Sequence, residues 1–289
     1  MTATATAASA LADAPTREAV MAQAGTENFP VAMRLVGAQS REHLLTVYGF
    51  ARLVDDAGDE AAGDRSALLD WIERDLDRIY AGAQAPEHPV LKALVPTVRA
   101  LELPAAPFRR LIEANRRDQI VDRYATLDAL LDYCRLSAAP VGELVLDVFG
   151  AATPDRIELS DQVCFALQIC EHLQDVAEDR RRGRVYLPLE DLDRFGCTVD
   201  DLSASTASPQ LRALLAFEVE RARSLLDAGA PLIRRLRGRA ALAVAGFVAG
   251  GRAALNAIEH ADYDVLSLRP RPSREAFGLA LAQTILERR

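Results

Sequence analysis

Apolar residues recur at three- and four-residue steps along most of this chain, the spacing that aligns them on one face of an α-helix. In Ser66–Tyr80 the stripe is Leu68, Leu69, Ile72, Leu76 and Ile79. Comparable stripes run through Phe108–Val121, Leu127–Phe149, Leu159–Asp179, Leu211–Leu236 and Ala240–His260. Ala85-Pro86, Leu103-Pro104, Thr153-Pro154, Ser208-Pro209, Gly238 and Arg269–Pro272 punctuate them, because proline lacks a backbone donor and glycine tolerates turns. Alternating β-branched patterns are nearly absent. With no internal repeat and no linker long enough to divide it, residues 27–289 are predicted to form a single all-α domain. Residues 1–26, opening Met-Thr-Ala-Thr-Ala-Thr, are expected to be a disordered Ala/Thr-rich tail.

Composition narrows the function. Half of the 289 residues are hydrophobic and 26% are charged, enough to bury a core and too apolar for disorder. The formal charge of -8 argues against nucleic acid, whose phosphates need a clustered basic surface. No run of about 18 apolar residues is evident, so no transmembrane helix is expected. The start lacks the basic-then-apolar order of a secretory signal. Cys134, Cys164, Cys170 and Cys197 form no CxxC pair and no zinc spacing with the four histidines. They read as small apolar thiols in a reducing cytoplasm. Lys92 is the only lysine among 34 bases, and arginine forks suit phosphate oxygens.

Two helices carry acids where the stripe calls for apolar residues. In His43–Glu60, Leu44, Tyr48, Ala51 and Asp55 follow one face, with Asp59 a turn further on. Acids at a helix C-terminus oppose the macrodipole, so the placement has a local cost. In Leu159–Asp179, Val163, Leu167 and Cys170 mark the buried side, and Glu171, Asp175 and Asp179 follow at successive four-residue steps. Acids so spaced repel one another by a few tenths of a kcal/mol per pair. A solvated charged face is the ordinary explanation of either cluster alone. Two clusters in one helical chain point equally to hard oxygen ligands for Mg²⁺ or Mn²⁺. Arg52 lies near the first cluster, and Arg180, Arg181, Arg182 and Arg184 follow the second. Carboxylates, metal and arginines together suit a phosphate ester, although arginines at a helix end also neutralise its dipole.

Asp55-Asp56-x-x-Asp59, with Asp175-x-x-x-Asp179 and the continuation Gly183-Arg184-Val185-Tyr186-Leu187-Pro188, resembles the squalene/phytoene synthase family. The likeness runs from about Glu27 to about His260. Residues 27–32, Asp118–Thr126 and Tyr133–Gly142 are similar to its bacterial hydroxysqualene synthase branch. The resemblance implies an isoprenoid synthase fold with a central prenyl cavity between helices. It implies that Asp55, Asp59, Asp175 and Asp179 hold Mg²⁺ on a substrate diphosphate. Glu171 stands where the family usually has Asn and is a further candidate ligand; Gln174 stands where Arg is frequent. By the same matching, Tyr48, Arg52, Arg184 and Tyr186 belong at the diphosphate. Tyr133, Phe29, Leu167 and Gln168 belong along the prenyl chain, although buried structural tyrosines are as common as catalytic ones.

The implied reaction ionises presqualene diphosphate and captures the rearranged cation with water, giving hydroxysqualene without NADPH. Three rivals stand beside it. One is a synthase that condenses two allylic diphosphates to presqualene diphosphate, squalene or phytoene. Another is a non-catalytic member acting in assembly, against which all four motif aspartates count. A dimetal helical bundle would need Glu-x-x-His pairs, and none occurs. The expected location is the cytoplasm, with peripheral contact at the inner membrane face for product release and other squalene-pathway enzymes as partners.

Overall fold

The computed structural model describes residues 14–22, 36–82 and 84–287. Their helices are α1 (Arg17–Ala22), α2 (Ala38–Asp59), α3 (Arg65–Ala81), α4 (Pro89–Leu101), α5 (Ala105–Arg117), α6 (Leu127–Ser137) and α7 (Ala139–Val148). There follow α8 (Pro154–Gln174), α9 (Val176–Arg181), α10 (Leu189–Arg194), α11 (Pro209–Gly229), α12 (Leu232–Arg235), α13 (Gly238–His260) and α14 (Arg274–Glu287). Among the described residues there is no β-strand, only the isolated bridge Arg123–Val185. The all-α expectation holds.

The helices gather into two compact units. One comprises residues up to Ile120 together with Pro140–Ala152; the other comprises Val121–Ala139 and Thr153–Arg289. The chain passes from one to the other three times.

In the first unit, α2 is flanked by α1, α3, α4 and α5. Leu44, Phe50, Leu53 and Val54 of α2 are fully buried, and Phe50 meets Phe108 edge-to-face at 5.0 Å. The ends of the helices follow capping chemistry. The Asp64 carboxylate accepts from the Ala67 N–H at 2.9 Å to start α3, and Gly82, with φ of 68°, closes it. Asp75 is buried, and it accepts from the backbone N–H groups of Glu87 and His88 at 2.6 and 2.8 Å. Helix α1 corrects part of the expected tail. Val20 is wholly buried against α2, because an apolar stripe is available there to cover it, and His88 Nε2 lies 3.0 Å from the Pro15 carbonyl.

In the second unit, α8 packs along α11 and α13. A Cβ at Gly229 would fall 2.6 Å from Val163 Cγ2 and 2.8 Å from the Leu159 carbonyl oxygen, so only glycine permits this approach of α11 to α8. Pro154 and Pro209 occupy first-turn positions of α8 and α11, where the missing N–H costs nothing. Two stripes expected as continuous helices are broken: Leu127–Phe149 at Ala138, and Leu211–Leu236 at Ala230-Pro231. Proline explains both, since Pro140 and Pro231 cannot accept the helix that precedes them. Cys134, Cys170 and Cys197 are buried free thiols, and burial pushes Cys134 and Cys170 up to about 12.

Helix α13 corrects another expectation: it is long and apolar enough to cross a membrane. Its alanines and glycines lower side-chain bulk rather than polarity, so the run is easily passed over. Most of it is covered by protein, as the core helix of its unit.

A buried ion triad ties α10 to α11. Arg221 reaches Asp191 at 2.7 Å and Glu218 at 2.6 Å, and its guanidinium lies 4.6 Å from the Phe217 ring centre. Burial pushes the Glu218 carboxyl up to about 7; Arg221 pulls against this and Asp191 adds to it. An acid that holds its proton more tightly when folded than its ordinary 4.5 stabilises the fold fully below that value and loses the contribution as pH rises through 7. Between pH 5 and 8 the melting temperature should therefore fall more steeply for the parent than for Glu218→Gln, as measured by calorimetry at matched ionic strength.

Candidate functional site

The first acidic motif lies at the C-terminal end of α2. Angularly, Asp55 continues the face of Leu44 and Tyr48 as expected, but it is exposed rather than buried. The covering elements thin out along the helix axis, so Tyr48 is buried, Ala51 half-buried and Asp55 open. Asp56 is the buried member of the motif. Arg52 pairs with it at 2.7 Å, one turn away, and lies 3.8 Å from Glu60. Asp59 is half-buried.

Helix α5 supports this end of α2 through residues that the sequence reading passed over. Asn115, almost fully buried, donates to Asp55 Oδ1 at 3.4 Å and to the Leu111 carbonyl at 3.2 Å. Gln119 donates to the Gly58 carbonyl at 3.0 Å. Gly58 makes room for the arrangement: a Cβ there would sit 2.3 Å from Asn115 Oδ1. The available signal was a glycine inside a helical motif, Asp-Asp-Ala-Gly-Asp, where it costs about 1 kcal/mol against alanine.

The second motif lies where α8 gives way to α9. Asp175 is the junction, with φ of -109° and ψ of 13°, yet the backbone bonds Asp175 N–H to Glu171 and Asp179 N–H to Asp175 persist at 3.0 and 2.8 Å. Asp175 and Asp179 are half-buried, whereas Glu171 is exposed. Burial pushes the Asp175 carboxyl above the usual carboxylate range; Arg269 opposes this, while Asp179 and Glu178 add to it. Arg269 meets Asp175 at 2.6 Å and Glu178 at 3.1 Å. Gln174 donates to the Pro270 carbonyl at 2.5 Å. It therefore anchors the segment carrying Arg269. Of the arginine run, Arg182 pairs with Glu178 at 3.0 Å and Arg180 lies 3.5 Å from Asp200.

A second chain segment closes on this motif. Val185 N–H donates to the Asp122 carbonyl at 2.8 Å and Leu189 N–H to that of Tyr124 at 3.0 Å. The Leu127 N–H donates to Glu190 Oε1 at 2.8 Å. These bonds dock residues 122–127 onto 185–190 and bring four rings together. Tyr124, Tyr133 and Tyr186 are buried with centres 5.4 to 5.8 Å apart, and His172 stacks on Tyr186 at 3.7 Å and 10°. His172 Nδ1 lies 3.6 Å from Asp179 Oδ2, and its Nε2 lies 3.1 Å from Gln168 Nε2. The two ring nitrogens of His172 thus face Asp179 on one side and Gln168 on the other. Asp179, Arg184, Tyr186 and His172 line a pocket of about 10 Å³, room for roughly one water. His172 and Tyr124 were not singled out in the sequence. The only hint for His172 was its four-residue step from Gln168.

Of the residues implied to line the prenyl chain, Tyr133 and Gln168 reach this cluster, and Leu167 packs where Gly251 leaves space for it. Phe29 lies outside the described residues. Tyr48, Arg52, Asp55 and Asp59 belong to the first unit. Among the described residues no three His, Cys, Asp or Glu side chains converge as a cation site. The donor chemistry nonetheless fits a divalent cation. All five candidate ligands are hard oxygen donors, and the half-buried Asp175 already draws a positive partner, Arg269.

A family model described as squalene/phytoene synthase matches residues 22–276. The chain belongs to the squalene/phytoene synthase family. It is 37% identical over 216 residues to hydroxysqualene synthase of Rhodopseudomonas palustris, covering 73% of this chain and 72% of that one. It is 32% identical over 257 residues to 15-cis-phytoene synthase of Synechococcus elongatus, covering 84% and 83%. The crystal structure of squalene synthase HpnC from Alicyclobacillus acidocaldarius matches with a TM-score of 0.78 and 43% identity, over 88% of this chain and 98% of that one. The chain thus has the all-α isoprenoid synthase fold of the squalene synthase type.

The contact between Gly58 and Asn115 is directly testable in this squalene/phytoene synthase. Gly58→Ala should destabilise by about 1–3 kcal/mol through overpacking. Asn115→Ala in the same chain should recover part of that loss, because the new methyl then fills the space the amide vacates. Chemical denaturation of the parent, both single variants and the double variant measures this coupling.

Proposed function

We propose that this enzyme is a divalent-metal-dependent hydroxysqualene synthase, which ionises presqualene diphosphate and captures the rearranged carbocation with water. The observation that carries the reading is one pocket lined by Asp179, Arg184, Tyr186 and His172, with Asp175 one helical turn before Asp179. Its sequence support is the likeness to hydroxysqualene synthases and to squalene synthase HpnC.

Asp175 and Asp179 would hold Mg²⁺ or Mn²⁺, and so would Asp55 and Asp59 at their own motif; when bound, the cation neutralises charge on the leaving diphosphate. Arg184 offers a fork to the remaining phosphate oxygens. The Tyr124, Tyr133 and Tyr186 rings pack together behind the pocket that Tyr186 lines. They also exclude bulk solvent, so early quenching is suppressed. Termination forms one C–O bond to a water oxygen and releases one proton, with diphosphate as the other product. No electron pair is needed from a reductant, so NADPH has no part in the proposed reaction.

A second reading is a condensing synthase, favoured by the 32% identity to a phytoene synthase over 84% of this chain. Product analysis separates the two. With Mg²⁺ and presqualene diphosphate in ¹⁸O-water, the purified protein should give hydroxysqualene labelled at its hydroxyl, unchanged by NADPH. Asp175→Asn should lower turnover by orders of magnitude, and excess EDTA should abolish it. Rapid conversion of farnesyl diphosphate to presqualene diphosphate or phytoene, with no hydroxysqualene from any substrate, would establish the condensing synthase instead.

A further inference from the structure

Arg269 reaches the second acidic motif from outside it. One guanidinium nitrogen lies 2.6 Å from Asp175 Oδ1 and the other 3.1 Å from Glu178 Oε2, so a single planar fork spans two acids. The contact at Asp175 is an ion pair without the alignment of a hydrogen bond, although Oδ1 itself is buried. Glu178 has a second cation in Arg182, 3.0 Å from its other oxygen. Arg269 is exposed, so its guanidinium has room to leave Asp175 while staying on Glu178.

The segment that carries Arg269 is fixed on both sides. Before it, Asp264 accepts from Thr206 Oγ1 at 2.6 Å, from the Ala207 N–H at 2.9 Å and from Ser267 Oγ at 2.8 Å, and Arg212 pairs with it at 2.9 Å. After it, Pro270 is buried and its carbonyl accepts from Gln174 at 2.5 Å. Gln174 immediately precedes Asp175. The residue before the carboxylate therefore holds the segment whose arginine neutralises it. A hard divalent cation and a guanidinium repel one another, so they do not share one carboxylate oxygen at contact distance. A cation binding at Asp175 has to move Arg269 aside. Its apparent affinity then scales with the share of molecules in which Arg269 stands away.

We propose that Arg269 is a built-in competitor for the divalent cation at Asp175 and that Gln174 positions it there, so that the segment after α13 sets the metal affinity of the second motif. This competition rests on the proposed role of Asp175 as a metal ligand.

Mn²⁺ titration of the purified full chain, read by electron paramagnetic resonance of the free ion, tests it without substrate. Arg269→Gln should bind Mn²⁺ about twofold to fivefold more tightly than the parent, the worth of a half-exposed ion pair. Gln174→Ala should shift affinity in the same direction by less, and add nothing in the Arg269→Gln background. Arg271→Gln removes the same charge from an exposed side chain nearby and should bind as the parent does. A segment with a merely structural role would weaken binding when altered, or leave it unchanged. Arg269→Gln and Gln174→Ala variants that bind no more tightly than the parent would overturn the proposal. So would an equal gain from Arg271→Gln, because the effect would then be general charge. Asp175→Asn separates the two levels. If it binds Mn²⁺ as the parent does, or if no form of the protein binds at all, the metal role of Asp175 fails and the competition with it. If Asp175→Asn loses binding while Arg269→Gln gains none, only the competition fails.

Discussion

Buried negative charge is the constraint around which this helical protein is arranged. A carboxylate taken out of water is tolerated only with a cation or several N–H donors against it, and the fully buried acids among the described residues have such partners. Asp56 has Arg52 one turn away. Asp191 and Glu218 share Arg221. Burial would raise the Asp264 carboxyl, but hydrogen bonds from Thr206, Ala207 and Ser267 outweigh it and hold the group well below the usual range. With a single lysine in the chain, arginine does nearly all of this pairing. Its planar fork can serve two acids at once, as Arg221 does.

Asp175 differs from these cases in a way that bears on chemistry. Its cation, Arg269, comes from an irregular segment between α13 and α14 rather than from a packed helix, and is about half exposed. That segment is fastened on both sides of the arginine: Asp264 accepts from Ser267 before it, and Gln174 donates to Pro270 immediately after it. A partner held on a strap can be exchanged with less disruption than one held in a core, which is what a ligand-binding carboxylate requires. The glutamine at 174 thus has a structural task in this chain, positioning the arginine rather than presenting one.

The aromatic cluster shows the same economy. Tyr124 and Tyr186 come from two loops, Tyr133 from α6 and His172 from α8. Three backbone hydrogen bonds and one side-chain cap between residues 122–127 and 185–190 align them. The ring of His172 then lies between its neighbours, with Gln168 facing one nitrogen and Asp179 the other. The position of these rings therefore follows from packing between segments about sixty residues apart.

Much of this was legible in the chain itself. Helix class, the main helical stretches and both acidic motifs follow from periodicity and spacing, which are local properties of one helix. The family likeness rests on contiguous residues such as Gly183–Pro188. What only the tertiary structure decided concerns depth and partnership. Periodicity fixes the angle at which Asp55 projects but not where its covering neighbours end, so it is exposed while Asp56 is buried. Spacing places Glu171, Asp175 and Asp179 in one row, yet the break at Asp175 and the strap from residue 269 leave the first in solvent and hold the second in an ion pair. Asn115 and His172 carry no sequence motif, because their importance comes from contacts with other segments of the chain. Burial and pairing are set by which surfaces meet, and one helix's sequence does not contain that information.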